Sequence, residues 1–204
     1  MIFHTQHSNG FTLVEMLVSV SILLLVIVGP MTITARIAKS ATFATEQVQA
    51  FFLAQEGIEI AQKGRDDLLL RNFLESTHGS YEDTPWAEFI DPILGDYHFC
   101  FGSPGCGLEW HASNPGELAT TRDCSLPDNC RLYRNASAER AKYTHVSTGG
   151  TPTLFTRKIY MTATPAGDPN AVRVRSVVTW RTGSVVAEQQ VEVESYLYNI
   201  YDTD

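Results

Sequence analysis

An apolar run near the N-terminus constrains this chain more than any other feature of its sequence. Residues 11–28 read FTLVEMLVSVSILLLVIV, and fourteen of these eighteen residues are apolar. Extended through Ile33, the run reaches the roughly 20 residues that a helix needs to cross a bilayer. We therefore predict a membrane-spanning helical segment at residues 11–33.

A single charged residue, Glu15, interrupts residues 11–28. A carboxylate that faces hydrocarbon costs on the order of 2.5–3.5 kcal/mol, so a Glu within a membrane indicates a function by default. The alternative is a carboxyl group near the lipid headgroups, because Glu15 is only the fifth residue of the run. A secretory signal peptide fits poorly, since the leader MIFHTQHSNG has no Lys or Arg and the run is longer than a usual h-region.

Gly10 ends the leader, and the next five residues read Phe-Thr-Leu-Val-Glu. This pattern resembles the N-terminus of type IV prepilins and type II secretion pseudopilins. The resemblance implies that a prepilin peptidase cleaves between Gly10 and Phe11 and that the new amine of Phe11 is methylated. It further implies an assembly role for Glu15, which would pair with the Phe11 amine of a neighbouring subunit and reward correct axial register. The leader departs from the family pattern in its lack of Lys and Arg, whereas Arg36 and Lys39 lie beyond the run.

The helical pattern continues past the apolar run. Apolar residues recur at three- and four-residue steps until Gly64, a typical helix stop. We predict one helix over residues 11–63, kinked at Gly29 and Pro30 because Pro30 lacks an N–H group. The alternative is two helices separated at that dipeptide. Residues 66–75 are predicted to form a separate, peripheral helical piece.

The C-terminal part of the chain predicts an antiparallel sheet. Residues 154–164 and 172–180 alternate apolar and polar side chains, and a turn at Thr182-Gly183 leads into a third strand. Arg and Glu residues of the last two strands share one face, where we expect cross-strand ion pairs. The predicted fold is therefore α+β, with a long N-terminal helix packed on a globular head at residues 64–204 whose sheet spans 154–198, and this arrangement resembles that of pilins.

Between the helix and this sheet the pattern is weaker. Residues 97–101 alternate enough to predict a strand, and Trp86, Phe89 and Ile93 are expected to anchor packing. Residues 50–66 (AFFLAQEGIEIAQKGRD) are similar to a segment of PilV-like minor pilins. The stretches TPTLFTRKIYMT and VTW near the C-terminus resemble the same subgroup less specifically.

The cysteines fall in one loop-rich stretch, residues 100–130. They are Cys100, Cys106, Cys124 and Cys130. Their C-x5-C spacing differs from the two- to four-residue spacing typical of zinc sites, so no metal is predicted, although His98 and His111 keep a metal site as an alternative. In an oxidising compartment we expect two disulfides. Three connectivities are open, and the nested one would staple the loop most tightly.

Charge and motifs exclude several classes of function. The chain of 204 residues has 15 Lys and Arg against 23 Asp and Glu, a net charge of −8, which argues against nucleic acid as a partner. No catalytic or nucleotide-binding motif is present, so we predict neither an enzyme nor a cofactor. His78 and His145 have no evident partner and are expected at the surface.

Together with these features, the resemblance implies a minor, PilV-like type IV pilin subunit for adhesion, pilus assembly or motility. The expected partners are a prepilin peptidase, other pilin subunits with their assembly machinery, membrane lipid before assembly, and a surface ligand. The expected location is the inner membrane, crossed once with the head outside the cytoplasm, and then the pilus or cell surface. The alternatives are a minor pseudopilin of a type II secretion system and an uncleaved, membrane-anchored binding ectodomain.

Overall fold

The computed structural model describes residues 10–75, 84–110, 119–126, 128–135, 142–164, 168–183 and 187–200. The chain forms two compact units, residues 1–45 and 46–204. The helix α1 (Leu13–Glu75) contributes to both units. The second unit, which we call the head, also contains a short helix and a sheet.

The described residues of the head form α2 (Thr84–Ile90), a 3₁₀ helix (His98–Phe101) and seven strands. The strands are β1 (Cys106–Glu109), β2 (Thr120–Asp123), β3 (Arg131–Asn135), β4 (Lys142–Thr144), β5 (Thr151–Ala163), β6 (Ala171–Trp180) and β7 (Gln189–Tyr198). All pairings between them are antiparallel.

The long strand β5 organises the sheet. On one side it pairs with β6, which in turn pairs with β7. On the other side its first half pairs with β3, and Ile159 in its second half pairs with Cys106 of β1. The strands β4 and β2 extend these two branches. The predicted α+β, pilin-like architecture is thus confirmed, with a long N-terminal helix packed on an antiparallel sheet.

Small residues let the second half of α1 approach the sheet closely. Ala54 and Ala61 are fully buried on the face that contacts the strands. Gly57 lies between them, and a Cβ atom there would lie 2.7 Å from Ile159 Cδ1 and would also clash with Ser176 Oγ. Only a residue without a side chain fits at this distance between helix and sheet.

The buried apolar side chains form two clusters in the head. One cluster joins α1 to β3, β5 and β6, through Ala50, Leu53, Ala54, Leu132, Phe155, Val178 and Trp180. The other joins α1 to α2, the 3₁₀ helix and the opposite part of the sheet, and includes Leu68, Trp86, Phe89, Tyr97, Leu108, Ile159, Met161 and Val174. The expected packing of Trp86 and Phe89 is confirmed.

The end of α1 differs from the prediction. The helix continues through Gly64 to Glu75, and residues 66–75 are its last turns rather than a separate peripheral piece. Gly64 serves close packing instead of ending the helix, because a Cβ atom there would lie 2.5 Å from Tyr97 Oη. Lys63 binds Asp67 across the expected stop, and Leu68 is buried, so the next turn is held by both polar and apolar contacts.

Two local predictions in the head are wrong. Residues His98–Phe101 form a 3₁₀ helix and not a strand, since the N–H of Cys100 donates to the carbonyl of Tyr97. Ile93 is 75% exposed, because the carboxylate of Asp91 accepts the N–H groups of Ile93 and Leu94 and turns the chain there.

The expected ion pairs on the outer face of the sheet are confirmed. Arg175 Nη1 lies 3.2 Å from Glu192 Oε1, and Arg173 Nη1 lies 3.9 Å from Glu194 Oε2, in both cases between β6 and β7. Each pair is about one-third exposed, so its contribution to stability is small, roughly 0–1 kcal/mol. The basic residues of this face are therefore partly neutralised within the sheet.

Candidate processing and assembly site

The first turn of α1 is capped by a threonine. Gly10 and Phe11 precede the helix and are both exposed, and a Cβ atom at Gly10 would meet nothing within 4 Å. Thr12 is the N-cap residue, and its Oγ1 accepts the N–H of Glu15 at 3.3 Å. The peptide bond between Gly10 and Phe11 thus lies two residues before the helix, between two residues that are exposed in the described part of the chain.

Sequence reasoning missed this role of Thr12, although a signal was present. Thr12 and Glu15 have the T-x-x-E spacing of a capping box, which marks helix N-termini. The third position of the helix also favours a negative charge, because the N-terminal end of the helix dipole is positive. Glu15 therefore stabilises the start of α1 as well as carrying the only charge of the apolar run.

The first unit of the chain exposes a continuous apolar surface. Every large apolar side chain from Phe11 to Ile37 is half or more exposed, with Leu25 at 77%. A protein surface of this extent in water is unfavourable, and it indicates contact with lipid or with other helices. The helix is long and apolar enough to cross a membrane by its length and composition.

Hydroxyl groups in and beyond this run bind carbonyls of the same helix. Ser21 Oγ donates to the carbonyl of Leu17 at 2.8 Å, and Thr34 Oγ1 donates to that of Pro30 at 2.8 Å. Such bonds reduce the cost of placing these residues in an apolar medium. Helix α1 is continuous through Gly29 and Pro30, so it does not divide into two helices there, and the kink at that dipeptide stays a prediction.

Within the head, α1 carries a second exposed apolar patch. The side chains of Val48, Phe51 and Phe52 are 57%, 44% and 63% exposed, although Ala50 and Leu53 beside them are buried against the sheet. An ordinary amphipathic helix on a sheet would carry polar residues at such positions. This patch therefore marks a surface that a partner could cover.

The four cysteines form two local disulfides. Cys100 binds Cys106 with their Cα atoms 4.6 Å apart, and Cys124 binds Cys130 with their Cα atoms 5.4 Å apart. The nested connectivity is thus wrong. The physical reason is proximity along the chain, because each pair is separated by six positions, the first across the end of the 3₁₀ helix and the second across the turn after β2. Each closed loop is short, so each bond stabilises the head by about 2 kcal/mol in the chain-entropy account.

This pairing also bears on the metal alternative. All four sulfur atoms are oxidised, so none is a thiolate ligand for zinc. His98 Nδ1 lies 2.8 Å from the carbonyl of Gly95, and His111 lies outside the described residues, as does His78. Within the described ranges no group of three or more His, Cys, Asp or Glu residues could hold a metal ion.

Among the buried polar residues of the head that were not predicted, Arg157 and His145 bear on the packing of the helix and the sheet. Arg157 occupies an apolar position of β5 and is 1% exposed; its guanidinium donates to Glu56 Oε2 at 2.6 Å and to the carbonyls of Leu53 and Leu108 at 3.2 Å. Two features of the sequence could have indicated this buried ion pair: the position of Arg157 on the buried face of the predicted strand, and the presence of Glu56 on the helix.

His145 is also buried, at 2% exposed, contrary to the expected surface location. The backbone N–H of His145 donates to Glu109 Oε2 at 3.1 Å, while Thr144 Oγ1 donates to Oε1 of the same carboxylate. Burial, and then the positive charge of Arg157, lower the pKa of His145 from 6.5 to about 4. The imidazole is therefore neutral at pH 7.

Comparison with known proteins adds one match. Residues 5–29 match the family model of the prokaryotic N-terminal methylation motif. No match is found among the curated proteins or among the solved structures. The matched segment contains Gly10, Phe11 and Glu15 and enters the exposed apolar part of α1. Residues 5–29 of this chain therefore carry the N-terminal methylation signal of type IV prepilins and pseudopilins.

Proposed function

We propose that the chain is a minor, PilV-like type IV pilin subunit. In this proposal a prepilin peptidase cleaves between Gly10 and Phe11, the amine of Phe11 is methylated, and the subunit enters a pilus for adhesion, assembly or motility. The observation that carries the proposal is the methylation motif at residues 5–29, which leads directly into a helix whose apolar side chains are exposed. The coarser statement, a type IV pilin or pseudopilin precursor, follows from the motif itself.

The proposed cleavage gives the exposed helix a new charge. Cleavage after Gly10 leaves the α-amine of Phe11 at the end of an apolar helix, four residues before Glu15. In an assembled filament, that amine pairs with Glu15 of a neighbouring subunit. Loss of one member of a buried ion pair costs about 3–5 kcal/mol, so only the axial register that pairs both charges is stable.

Exposed apolar side chains on the second part of α1 also support the proposed assembly. Val48, Phe51 and Phe52 remain exposed on the head. Burial of apolar surface contributes about 25 cal/mol per Å², so helices of adjacent subunits are stabilised by covering this patch. In the proposed filament the helix therefore packs on its own sheet with one face and on other subunits with another.

The disulfides support a location outside the cytoplasm. Disulfides persist in oxidising compartments such as the bacterial periplasm, and the head contains two. We propose that the helix crosses the inner membrane once, with lipid around it before assembly, and that the head lies outside. At this location we expect the chain to bind other pilin subunits and their assembly machinery. An unidentified surface ligand would contact the head.

Incorporation into sheared filaments tests this function against its alternatives. The full chain is co-expressed with a prepilin peptidase and either a pilus system or type II secretion components, with Glu15→Ala as the variant. We expect a processed chain in pili, and loss of the Glu15→Ala variant from them without loss of processing. Incorporation only with the secretion components would favour a pseudopilin. An uncleaved chain that never enters a filament would favour a membrane-anchored ectodomain.

A further inference from the structure

A groove of about 230 Å³ lies between α1 and the end of β1. It is lined by Trp110, which follows β1, and by four residues of the helix, Glu56, Glu59, Ile60 and Lys63. The side chain of Trp110 is 46% exposed, although tryptophan is ordinarily among the more buried residues. An exposed Trp beside a concave surface is a typical anchor point for a partner.

Among the charged groups around this Trp110 groove, one carboxylate has no ion-pair partner in the part of the chain that the structure describes. Glu56 binds the buried Arg157 at 2.6 Å, and Lys63 Nζ binds Asp67 at 2.5 and 2.7 Å. Glu59 is exposed and makes no ion pair with any residue that the structure describes. The groove therefore keeps one excess negative charge, contributed by Glu59.

The ring of Trp110 already attracts a cation of its own chain. Lys63 Nζ lies 5.3 Å from the ring centroid, within the range of a cation–π interaction. Ile60 and the methylene stem of Lys63 add apolar wall to the groove. An aromatic ring, an apolar wall and an unmatched carboxylate together suit the long side chain of a lysine or an arginine, whose stem is apolar and whose end is cationic.

The size and surroundings of the groove point to a side chain rather than a free small molecule. Its volume is below the roughly 300–1,000 Å³ of ordinary ligand pockets. Phe52, Glu56, Glu59 and Lys63 follow each other at helical steps of three and four residues, so the groove continues along α1 into the exposed apolar patch. A partner that enters the groove would cover Phe52 as well.

We propose that the Trp110 groove receives a Lys or Arg side chain from the α1-type helix of a neighbouring filament subunit, whose apolar residues cover Phe52. The inference rests on the proposed function, since it needs an assembled filament. The helix α1 itself carries residues of the required kind, the exposed Arg36 and Lys39 beyond its apolar run. The cation pairs with Glu59, and its stem packs on Trp110.

Cross-linking tests the occupant directly. A photoreactive amino acid is placed at position 110 of the full chain, co-expressed with the peptidase and the filament system, and the cross-linked peptide is identified by mass spectrometry. Position 154, where Leu154 is 54% exposed on β5, is the control for surface exposure. We expect the cross-link from position 110 to map beside a Lys or Arg on the N-terminal helix of another processed subunit, and to require assembly.

Charge variants test the role of Glu59. Incorporation into filaments should fall about threefold or more with Glu59→Gln and further with Glu59→Lys, the size expected for a partly exposed charge pair. Glu59→Asp should retain incorporation, and Glu188→Gln, at another exposed carboxylate, should leave it unchanged. Reversal of the charge at the cross-linked basic residue should rescue Glu59→Lys.

The outcomes separate the groove from the proposed function. Two results would overturn the proposed role of the groove and leave the proposed function unaffected. One is normal incorporation of Glu59→Lys into filaments. The other is that, in intact filaments, position 110 cross-links only within its own chain. Cross-links to a protein without a processed N-terminal helix would also overturn it. Retention of Met1 together with absence from filaments would overturn both proposals, and the N-terminal mass tells the two cases apart.

Discussion

Arg157 Nη1 lies 2.6 Å from Glu56 Oε2 and joins the central strand of the sheet to α1. The same guanidinium donates to the carbonyls of Leu53 and Leu108, so one buried cation holds the helix and two strands. The side chain of Arg157 is 1% exposed, whereas that of Glu56 is 41% exposed. Within the head, this ion pair ties the sheet to the helical segment that follows Glu46.

Removal of the Glu56 charge should destabilise the head. We expect Glu56→Gln to lower the free energy of unfolding by about 1–3 kcal/mol, between the values for exposed and buried pairs, because Arg157 stays buried without a counter-charge. Thermal unfolding of the full chain in detergent measures this. The double variant Glu56→Gln/Arg157→Met should recover part of the loss. Equal stability of Glu56→Gln and the exposed control Glu59→Gln would contradict the account.

The close approach at Gly57 predicts a second loss of stability. Gly57→Ala should destabilise by about 1–3 kcal/mol through overpacking against Ile159 and Ser176, despite the roughly 1 kcal/mol that Ala gains in helix propensity. The matched control is Gly29→Ala in the same helix, where a Cβ atom meets nothing within 4 Å. Chemical denaturation compares the two. A Gly57→Ala variant that is as stable as the parent would show that the helix lies farther from the sheet.

The local disulfides predict a simple peptide map. Trypsin cuts after Arg71, Arg122 and Arg131, so Cys100 and Cys106 fall in one peptide and Cys124 and Cys130 in the next. Without reduction, each peptide should appear alone, lighter by two hydrogens than after reduction. A nested connectivity would instead join the two peptides into one species. Mass spectrometry of the non-reduced digest distinguishes these outcomes.

The buried His145 predicts a dependence of stability on acid. Its pKa is lowered to about 4 in the folded head, by burial first and then by Arg157, from the ordinary value of 6.5. Below pH 6.5 the unfolded chain therefore binds a proton that the folded chain does not, and stability falls as pH falls toward 4. The loss is about 3 kcal/mol over this interval, and the imidazole contributes no slope above it.

Unfolding of the full chain between pH 4 and 8 measures this effect. His145→Gln should flatten the slope between pH 4 and 6.5 relative to the parent. His98→Gln, at a histidine that lies near the surface of the head, should retain the slope. An unchanged slope in His145→Gln would assign the acid sensitivity to other groups.

The sequence predicted the architecture because its signals were long. The apolar run of α1 and the alternation of the three C-terminal strands each extend over many residues. A local irregularity therefore does not obscure either pattern. The outer-face pairs of Arg173 and Arg175 followed from the same alternation. At the N-terminus, Gly10, Phe11 and Glu15 were found by their pattern, and their roles in cleavage and pairing stay predictions.

What the sequence did not predict depends on contacts between distant residues. From the sequence alone, Gly64 resembles a helix stop, whereas the structure shows that Tyr97 packs against it. From the sequence alone, Arg157 interrupts the apolar face of a predicted strand, whereas the structure shows that it binds Glu56 across the helix–sheet interface. The groove at Trp110 likewise needs α1 and the end of β1 to meet. The strands between residues 106 and 144 are three to five residues long, which is too short for alternation to indicate them.

The mass of the N-terminal peptide, after co-expression of the full chain with a prepilin peptidase, tests the central claim most directly. We expect a peptide that begins at Phe11 and carries one additional methyl group, together with an uncleaved chain in the Gly10→Val control. Glu15→Gln should still be cleaved and should then be missing from filaments. A chain that keeps Met1 under the same conditions would contradict the prepilin account and leave α1 as an ordinary membrane anchor.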